Sequence, residues 1–505
     1  MKKVLIYSIS IPSYEEAMAL QEALSHNAAG DSVLYLSCDD KLQGCTRNSL
    51  LNASRCRMCS WMQKKRISKL LPENIEKKTL RDYFEASSER NIAELKFEYY
   101  SIADLKSITY RDVKIGYAAL SSYISLTRNL DVVFDGEVKR YVDSLLLHQV
   151  RLTDTIIKVL EEFQPDCICF YNGRFPEYRP LLDLAQLYGI DYVVTENRRF
   201  APNHVRRDIY YNSIPHDAEA YVAKYKQLWR EFPNLDERER LARSFYENRR
   251  NAVFSGEKIY VKDQQKGLMP DKWNKDRENI VIFNTSEDEF CSINEQVDVE
   301  RVFPTQMDGI KAIVEHYRND INKYFWLRIH PNLSGIPFRY HQDLYKLDYP
   351  NLTVIPAESA ISTYSLMDAA SKVIVFGSTT GVEATYWGKP VICLGYSYYK
   401  QLGVVHTPKN VDELWPLIDN PNLPCLYNEN VLVYGLHNMS AEQYNDNESF
   451  SMDYKIYNVF GKKLEIPMYR NYYFHSHLLT GLIELAGWKI GGWIDRKKEF
   501  KKIPM

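Results

Sequence analysis

Short apolar runs rich in Val, Ile, Leu, Tyr and Phe alternate with helix-length stretches along this chain, and they do so in two separate series. Strands buried on both faces of a parallel sheet read as near-continuous apolar runs, and each parallel return needs a crossover, usually a helix. The first series reads KVLIYSI, EEAMALQEAL, SVLYLSC and, further on, LLLHQVRLTDTIIKVLEEF followed by DCICFYNG. The second opens with NIVIFNTSEDE and continues through MDGIKAIVEHYRN, YFWLRIHPN, LTVIPAES, SLMDAAS, KVIVFGSTTG, VEATYWG and KPVICLG. A length of 505 residues exceeds one ordinary core, so two α/β domains follow. The expected architecture is a pair of Rossmann-like domains facing a cleft, with ligands at strand carboxyl ends. Its boundaries are 1–265 for a first Rossmann-like domain, 266–279 for a linker rich in Gly, Pro and mixed charge, 280–465 for a second Rossmann-like domain, and 466–505 for a helical segment and tail. The charged helical stretch 214–264 is expected to cover the first sheet and lead out of it.

Acidic and basic residues nearly cancel to a formal charge of -2, which removes the main electrostatic reason to expect nucleic acid as a partner. Polar Ser8, Ser10, Ser13 and Glu15 break the opening apolar run before a signal-peptide core forms, so it reads as a strand. No stretch reaches the roughly 20 apolar residues of a membrane span. A cytoplasmic protein, peripheral at most on the inner membrane face, is the expectation, with the nine cysteines as thiols or metal ligands rather than disulfides.

The segment KVIVFGSTTGVEATYWGKPVICLG, 372–395, carries most of the chemistry. A buried strand runs into Gly377-Ser378-Thr379-Thr380-Gly381, where two glycines allow a tight turn and three hydroxyls stand at a helix start suited to phosphate. Glu383, one turn on, is within reach of a ribose diol. An ordinary capped βα turn explains the same residues. A second polar group, Arg328-Ile329-His330-Pro331-Asn332, leaves another strand end and is expected to share the ligand with Ser378. A third, Asn284-Thr285-Ser286-Glu287-Asp288-Glu289, follows the first strand of the same series, with Ser286 as its donor-binding candidate.

The strings FNTSEDEF, LRIHPN, STYSLMDAASKVIVFGSTTGVEATYWGKPVICLG and FYNGR resemble the bacterial capsule and surface-polysaccharide glycosyltransferases of GT-B fold. More distantly they are similar to Kdo transferases and bacterial sialyltransferases, which share an HP motif and a Ser-Ser or Ser-Thr motif. The resemblance implies that His330 and Pro331 meet the donor phosphate and assist its departure, and that Ser378 and Thr379 bind the same phosphate. Negative charge grows on the departing phosphate, so hydroxyls with Arg328 or a protonated His330 would stabilise it without a metal. No Asp-x-Asp ends a strand, and no catalytic metal is expected.

In the first half, Cys38-x6-Cys45-x10-Cys56-x2-Cys59 gathers four thiols in 22 residues, two of them as a CxxC pair. Four thiolates suit a structural, tetrahedral zinc. An iron–sulfur cluster and unliganded thiols remain alternatives, whereas Cys167 and Cys169 alternate along a strand and read as core. Asn172 and Arg174, after the strand DCICF, are acceptor-binding candidates for a sugar hydroxyl and an anionic group; an Asn-Gly turn with a surface arginine is the plainer reading. Glu196 and Asp217 compete for the role of general base. The tail mixes Trp488, Trp493 and Phe500 with Lys489, Arg496, Lys497, Lys498, Lys501 and Lys502, a composition suited to an anionic membrane surface.

These readings combine into a nucleotide-sugar glycosyltransferase using a CMP-, UDP- or GDP-linked donor. Its acceptor would be a growing capsule or lipopolysaccharide glycan, free or lipid-linked. A sugar-nucleotide epimerase or hydrolase on the same fold and a non-catalytic, zinc-stapled scaffold are the rivals.

Overall fold

The computed structural model describes residues 1–9, 14–39, 42, 45, 53–84, 92, 94–201, 204–255, 259–440, 454–459 and 462–467. The basic-aromatic tail therefore lies outside the described residues. Among the described residues no helix is long and apolar enough to cross a membrane. The chain divides into two units, the first mainly residues 1–199 and 203–215, the second mainly 216–444.

In the first unit the strands β1 (Lys3–Ser8), β2 (Ser32–Ser37), β3 (Glu76–Thr79), β4 (Cys167–Tyr171), β5 (Asp191–Ala201) and β6 (His204–Tyr211) form one sheet in the order β3-β2-β1-β4-β5-β6. Pairing from β3 through β5 is parallel. Helices α1 (Tyr14–Ala28), α2 (Ala53–Leu70), α3 (Ile115–Thr127), α4 (Gly136–Phe163) and α5 (Arg179–Tyr188) supply its crossovers and outer layers. The longest, α4, buries Val138, Tyr141, Val142, Leu145 and Leu146 at spacings of three and four, the stripe of a helix lying on a core. Cys167 and Cys169 are buried with Val4, Ile6 and Tyr35, as their alternation predicts.

The second unit repeats the winding. Strands β7 (Glu278–Phe283), β8 (Lys323–Arg328), β9 (Leu352–Ile355), β10 (Lys372–Val375) and β11 (Val391–Cys393) are all parallel in the order β11-β10-β7-β8-β9. Counted within each unit, both sheets follow the Rossmann order 3-2-1-4-5, the α/β class that the alternation predicts. Residues alternate between the faces: Ile280, Ile282 and Ile374 join Ile310 and Val314 of α8 (Gln306–His316) and Ile418 of α11 (Val411–Asp419). Val281, Phe283 and Val375 face a cluster that includes Tyr364 of α9 (Thr363–Ala369), Val382 of α10 (Thr380–Tyr386) and Val431 of α12 (Glu429–Met439). A separate antiparallel hairpin joins β12 (Tyr454–Val459) to β13 (Lys462–Pro467). It groups with the first unit, not with the second domain as its position before 465 suggests.

Two further boundaries differ from expectation. Helices α6 (Ala218–Glu231) and α7 (Leu235–Arg250) belong to the second unit, although their charge and position suggest an exit from the first. Their buried residues Tyr225, Trp229, Phe245 and Tyr246 sit in the same cluster as Val281 and Val431. Each large apolar side chain so buried contributes roughly 1.5–3 kcal/mol. Exposed pairs such as Arg240 with Glu237 are screened by water and contribute little, so the apolar stripe decides where the helices settle. At the crossing of α7 and α12, a Cβ on Gly435 would lie 2.4 Å from the Ala242 carbonyl oxygen, so only glycine permits the approach. The supposed linker 266–279 is likewise part of the second unit: Trp273 stacks on Trp326 at 4.9 Å, and the Ser362 amide donates to the Leu268 carbonyl.

Candidate functional site

The second sheet reverses its winding between β7 and β10, and segments leaving adjacent strands at such a point diverge and open a crevice at the carboxyl ends. A cavity of about 320 Å³ occupies that place. Three strand exits line it: Asn284, Thr285 and Ser286 after β7, His330 and Pro331 after β8, and Gly377 to Thr380 after β10. The three polar clusters singled out in the sequence are therefore brought together.

Gly377 turns the chain with φ 109°, and a Cβ there would lie 2.1 Å from the Tyr396 carbonyl oxygen, so no other residue fits. Beyond it, Thr380 Oγ1 donates to Ser378 Oγ at 2.8 Å, and the Tyr399 hydroxyl donates to the Ser378 carbonyl. Helix α10 begins here but runs only seven residues. Side chains rather than a helix dipole carry the chemistry of this turn. Gly381 does not line the cavity, contrary to its reading as a donor contact; it is buried beside the Tyr399 hydroxyl.

His330 is fixed at both ends. Its amide donates to Asn284 Oδ1 at 2.8 Å, and its Nδ1 accepts from the Asn332 amide at 3.1 Å. That acceptor role at Nδ1 places the proton of the neutral ring on Nε2. The Tyr260 ring stands edge-on to the imidazole at 4.8 Å. Asn332 itself does not line the cavity; its side chain donates to Ser286 Oγ and to Glu289 Oε1, both at 3.1 Å, and braces the β7 and β8 exits against each other.

Two arginines reach the cavity wall, and they differ in kind. Arg328, 2% exposed, donates to the carbonyls of Pro356 and Ser359, its Nε meets no acceptor, and among the described residues no carboxylate lies within ion-pair distance. Burial pushes its pKa down to about 10, partly offset by Glu358. Arg249, in the last turn of α7, instead donates through Nε to Glu383 Oε1 at 2.8 Å. Glu383 also accepts from the Tyr364 hydroxyl and is 1% exposed. The carboxylate read as a ribose ligand therefore already holds an arginine and a tyrosine in the cavity wall. Arg249, Tyr260, Gln264 and Tyr398 line the cavity from segments with no local motif, and Thr363 and Tyr364 line it from within the string STYSLMDAAS, where nothing marks them individually. At this cavity, among the described residues, no three ligand-type side chains close on one point as a metal site would need.

Elsewhere the candidates separate. Asp217 is the N-cap of α6, its Oδ1 accepting from the amides of Glu219 and Ala220 at 2.9 and 3.1 Å. In the first unit Glu196 accepts hydrogen bonds from Tyr171, Asn172 and Asn197. Burial pushes its carboxyl above the usual range, against the pull of those bonds. Asn172 holds φ 55° to make this contact, a left-handed conformation tolerated by asparagine. The Arg174 amide donates to Asn172 Oδ1 at 3.2 Å, while its guanidinium donates to Ser125 Oγ at 2.9 Å and lies over the Phe175 ring. The thiols of Cys38, Cys45, Cys56 and Cys59 form no disulfide.

Residues 190–423, somewhat under half of the chain, match the family model for capsule polysaccharide biosynthesis proteins. The match spans every strand of the second sheet, and the resemblance read from the motifs is borne out there. No curated protein matches the sequence. Among solved structures, the chain is similar to the KpsC beta Kdo 2,4 transferase of Thermosulfurimonas dismutans at 14% identity and a TM-score of 0.33, covering 59% of this chain and 84% of that one. The beta Kdo 2,7 transferase of the same KpsC gives 14%, 0.31, 66% and 89%. The UDP-GlcNAc 2-epimerase from Neisseria meningitidis bound to UDP-GlcNAc gives 13%, 0.25, 86% and 97%. Likeness of this degree carries no argument about activity.

Proposed function

Taking residues 190–423 as a region of the capsule polysaccharide biosynthesis family, we propose that the chain is a glycosyltransferase that moves a sugar from a nucleotide donor to a growing surface glycan. The donor phosphate binds in the cavity at the β7–β10 reversal. The observation that carries this reading is Arg328: a buried guanidinium with no carboxylate partner among the described residues, standing in a wall shared with three polar strand exits. Burial disfavours this charge, Glu358 offsets that only in part, and an anionic ligand is the group that would complete the compensation.

The chemistry follows from these residues. As the bond from the anomeric carbon to the phosphate oxygen breaks, its electron pair passes to the phosphate. His330 donates its Nε2–H to that oxygen, the hydroxyls of Ser378 and Thr379 donate to the others, and the Arg328 charge stabilises the whole group. All of these strengthen as the negative charge grows, so they favour the transition state over bound donor. Such donors make a metal unnecessary for leaving-group stabilisation. The acceptor hydroxyl gives its proton to a carboxylate as its oxygen bonds to carbon. Glu196 is the proposed carboxylate, since Asp217 is already engaged as the cap of α6.

Thermal denaturation in the presence of CMP-, UDP- and GDP-linked sugars tests the proposal. One class should raise the melting temperature at concentrations well above its Kd, and stabilisation by none of them would refute the reading. With the responding donor, nucleotide release should require an added glycan acceptor. Release into water alone would identify a hydrolase, and interconversion of the donor without acceptor an epimerase.

A further inference from the structure

The central strand of the second sheet ends in a side chain whose hydrogen-bonding capacity is only half used. β7 lies between β8 and β10. Its last residue, Phe283, pairs with Arg328 on one side and with Val375 on the other. Asn284 is one step further on, and so stands between the His330-Pro331 exit and the Gly377-Ser378 turn. It lines the cavity and is 2% exposed. The His330 amide donates to its Oδ1 at 2.8 Å. A backbone N–H can meet only an acceptor, so this bond fixes which way the carboxamide is turned and leaves Nδ2 with two N–H groups to give. Among the described residues Nδ2 meets no acceptor. The backbone beside it is clamped: Gln306 of α8 accepts from the Thr285 amide at 3.0 Å and donates to the Thr285 carbonyl at 3.2 Å. The carboxamide is therefore a donor set in place before any ligand arrives.

We propose that Asn284 is a donor-binding residue: its Nδ2 donates to an oxygen of the sugar-nucleotide phosphate, between the oxygens served by His330 and Ser378, while its Oδ1 holds the His330 backbone. This rests on the reading of the cavity as a nucleotide-sugar site. A carboxamide N–H serves any oxygen; what selects an anionic one here is its company, the Arg328 guanidinium and the hydroxyls of Ser378 and Thr379 in the same cavity wall. The two ends of the side chain have opposite polarity and both are used. Aspartate would keep the acceptor and lose the donor, and alanine would lose both. Because the phosphate is bound before the glycosidic bond breaks as well as during it, the bond from Nδ2 contributes to donor affinity and not only to turnover.

Calorimetric titration of the full chain with CMP-, UDP- and GDP-linked sugars tests the proposal. For the donor that wild type binds, Asn284→Ala should weaken affinity by about 10- to 100-fold, the range for a hydrogen bond to a charged group. Asn284→Asp still accepts from the His330 amide, so without ligand it should melt close to wild type. It should nevertheless bind the donor at least as weakly as the alanine variant, since an anion then faces the phosphate. Combining Asn284→Ala with His330→Ala separates contact from bracing: a direct bond to the ligand predicts a further loss once the imidazole is gone, whereas a residue acting only through His330 adds none. Wild-type affinity in Asn284→Ala or Asn284→Asp, or no further loss in the double variant, would each overturn the role while leaving nucleotide binding by the cavity intact. If wild type binds none of the three donors, the glycosyltransferase reading falls and this role with it.

Discussion

The two units wind their strands in the same order, yet their strand ends carry different chemistry. In the second, the exits of β7, β8 and β10 bring hydroxyls, an imidazole and a buried guanidinium to one cavity. In the first, the exits of β4 and β5 bring Tyr171, Asn172 and Glu196 into one hydrogen-bonded group. Topology fixes where a site can be; the few residues after each strand fix what it can do. In the proposed reading, anion chemistry belongs to the second unit and proton chemistry to the first.

The sharpest test of that division is His330→Ala. Loss of one donor to a developing oxyanion should lower kcat by about 10²-fold or more, with the melting temperature little changed. A steady-state assay with the responding donor reads this, and near-normal turnover would return His330 to a purely structural post. A second test concerns acid lability, which should be concentrated in the first unit. His148 of α4 is fully buried, neither ring nitrogen meets a partner, and burial pushes its pKa down to about 3. Between about pH 6.5 and pH 3 the unfolded chain binds a proton that the folded chain refuses. Its effect is therefore nil above pH 6.5, and below that stability falls by roughly 1.4 kcal/mol per pH unit. Urea unfolding at pH 7.5 and pH 5.0 should show this loss in wild type and a smaller one in His148→Leu. The smallest effect separates two carboxylates: Asp217→Ala should cost about 1 kcal/mol of stability through the lost cap and leave kcat unaltered. A large fall in kcat would restore Asp217 as the base in preference to Glu196.

The strands of the second sheet were legible because IVIF, WLR and VIV are buried on both faces and read as unbroken apolar runs. His330 and Ser378 were legible for a related reason: each directly follows such a run, and parallel strands deliver their exits to one edge. The order of strands was not, since it depends on pairings between distant segments. Arg249 and Tyr364 escaped notice because they meet Glu383 across 134 and 19 residues of chain, with no local pattern to announce the contact. Helices α6 and α7 were misplaced because charge density drew attention from an apolar stripe of four aromatic side chains. The capping role of Asp217 is legible too, an acid directly ahead of Ala218-Glu219-Ala220, where a helix begins.

The bond between Arg249 and Glu383 has a practical meaning for anyone dividing this chain. Because one wall of the cavity is contributed by a helix that precedes β7, a fragment begun at residue 280 would emerge with that wall breached and Glu383 bereft of its arginine. The second unit starts near His216, and a nucleotide-binding failure in the shorter fragment would report the cut rather than the protein.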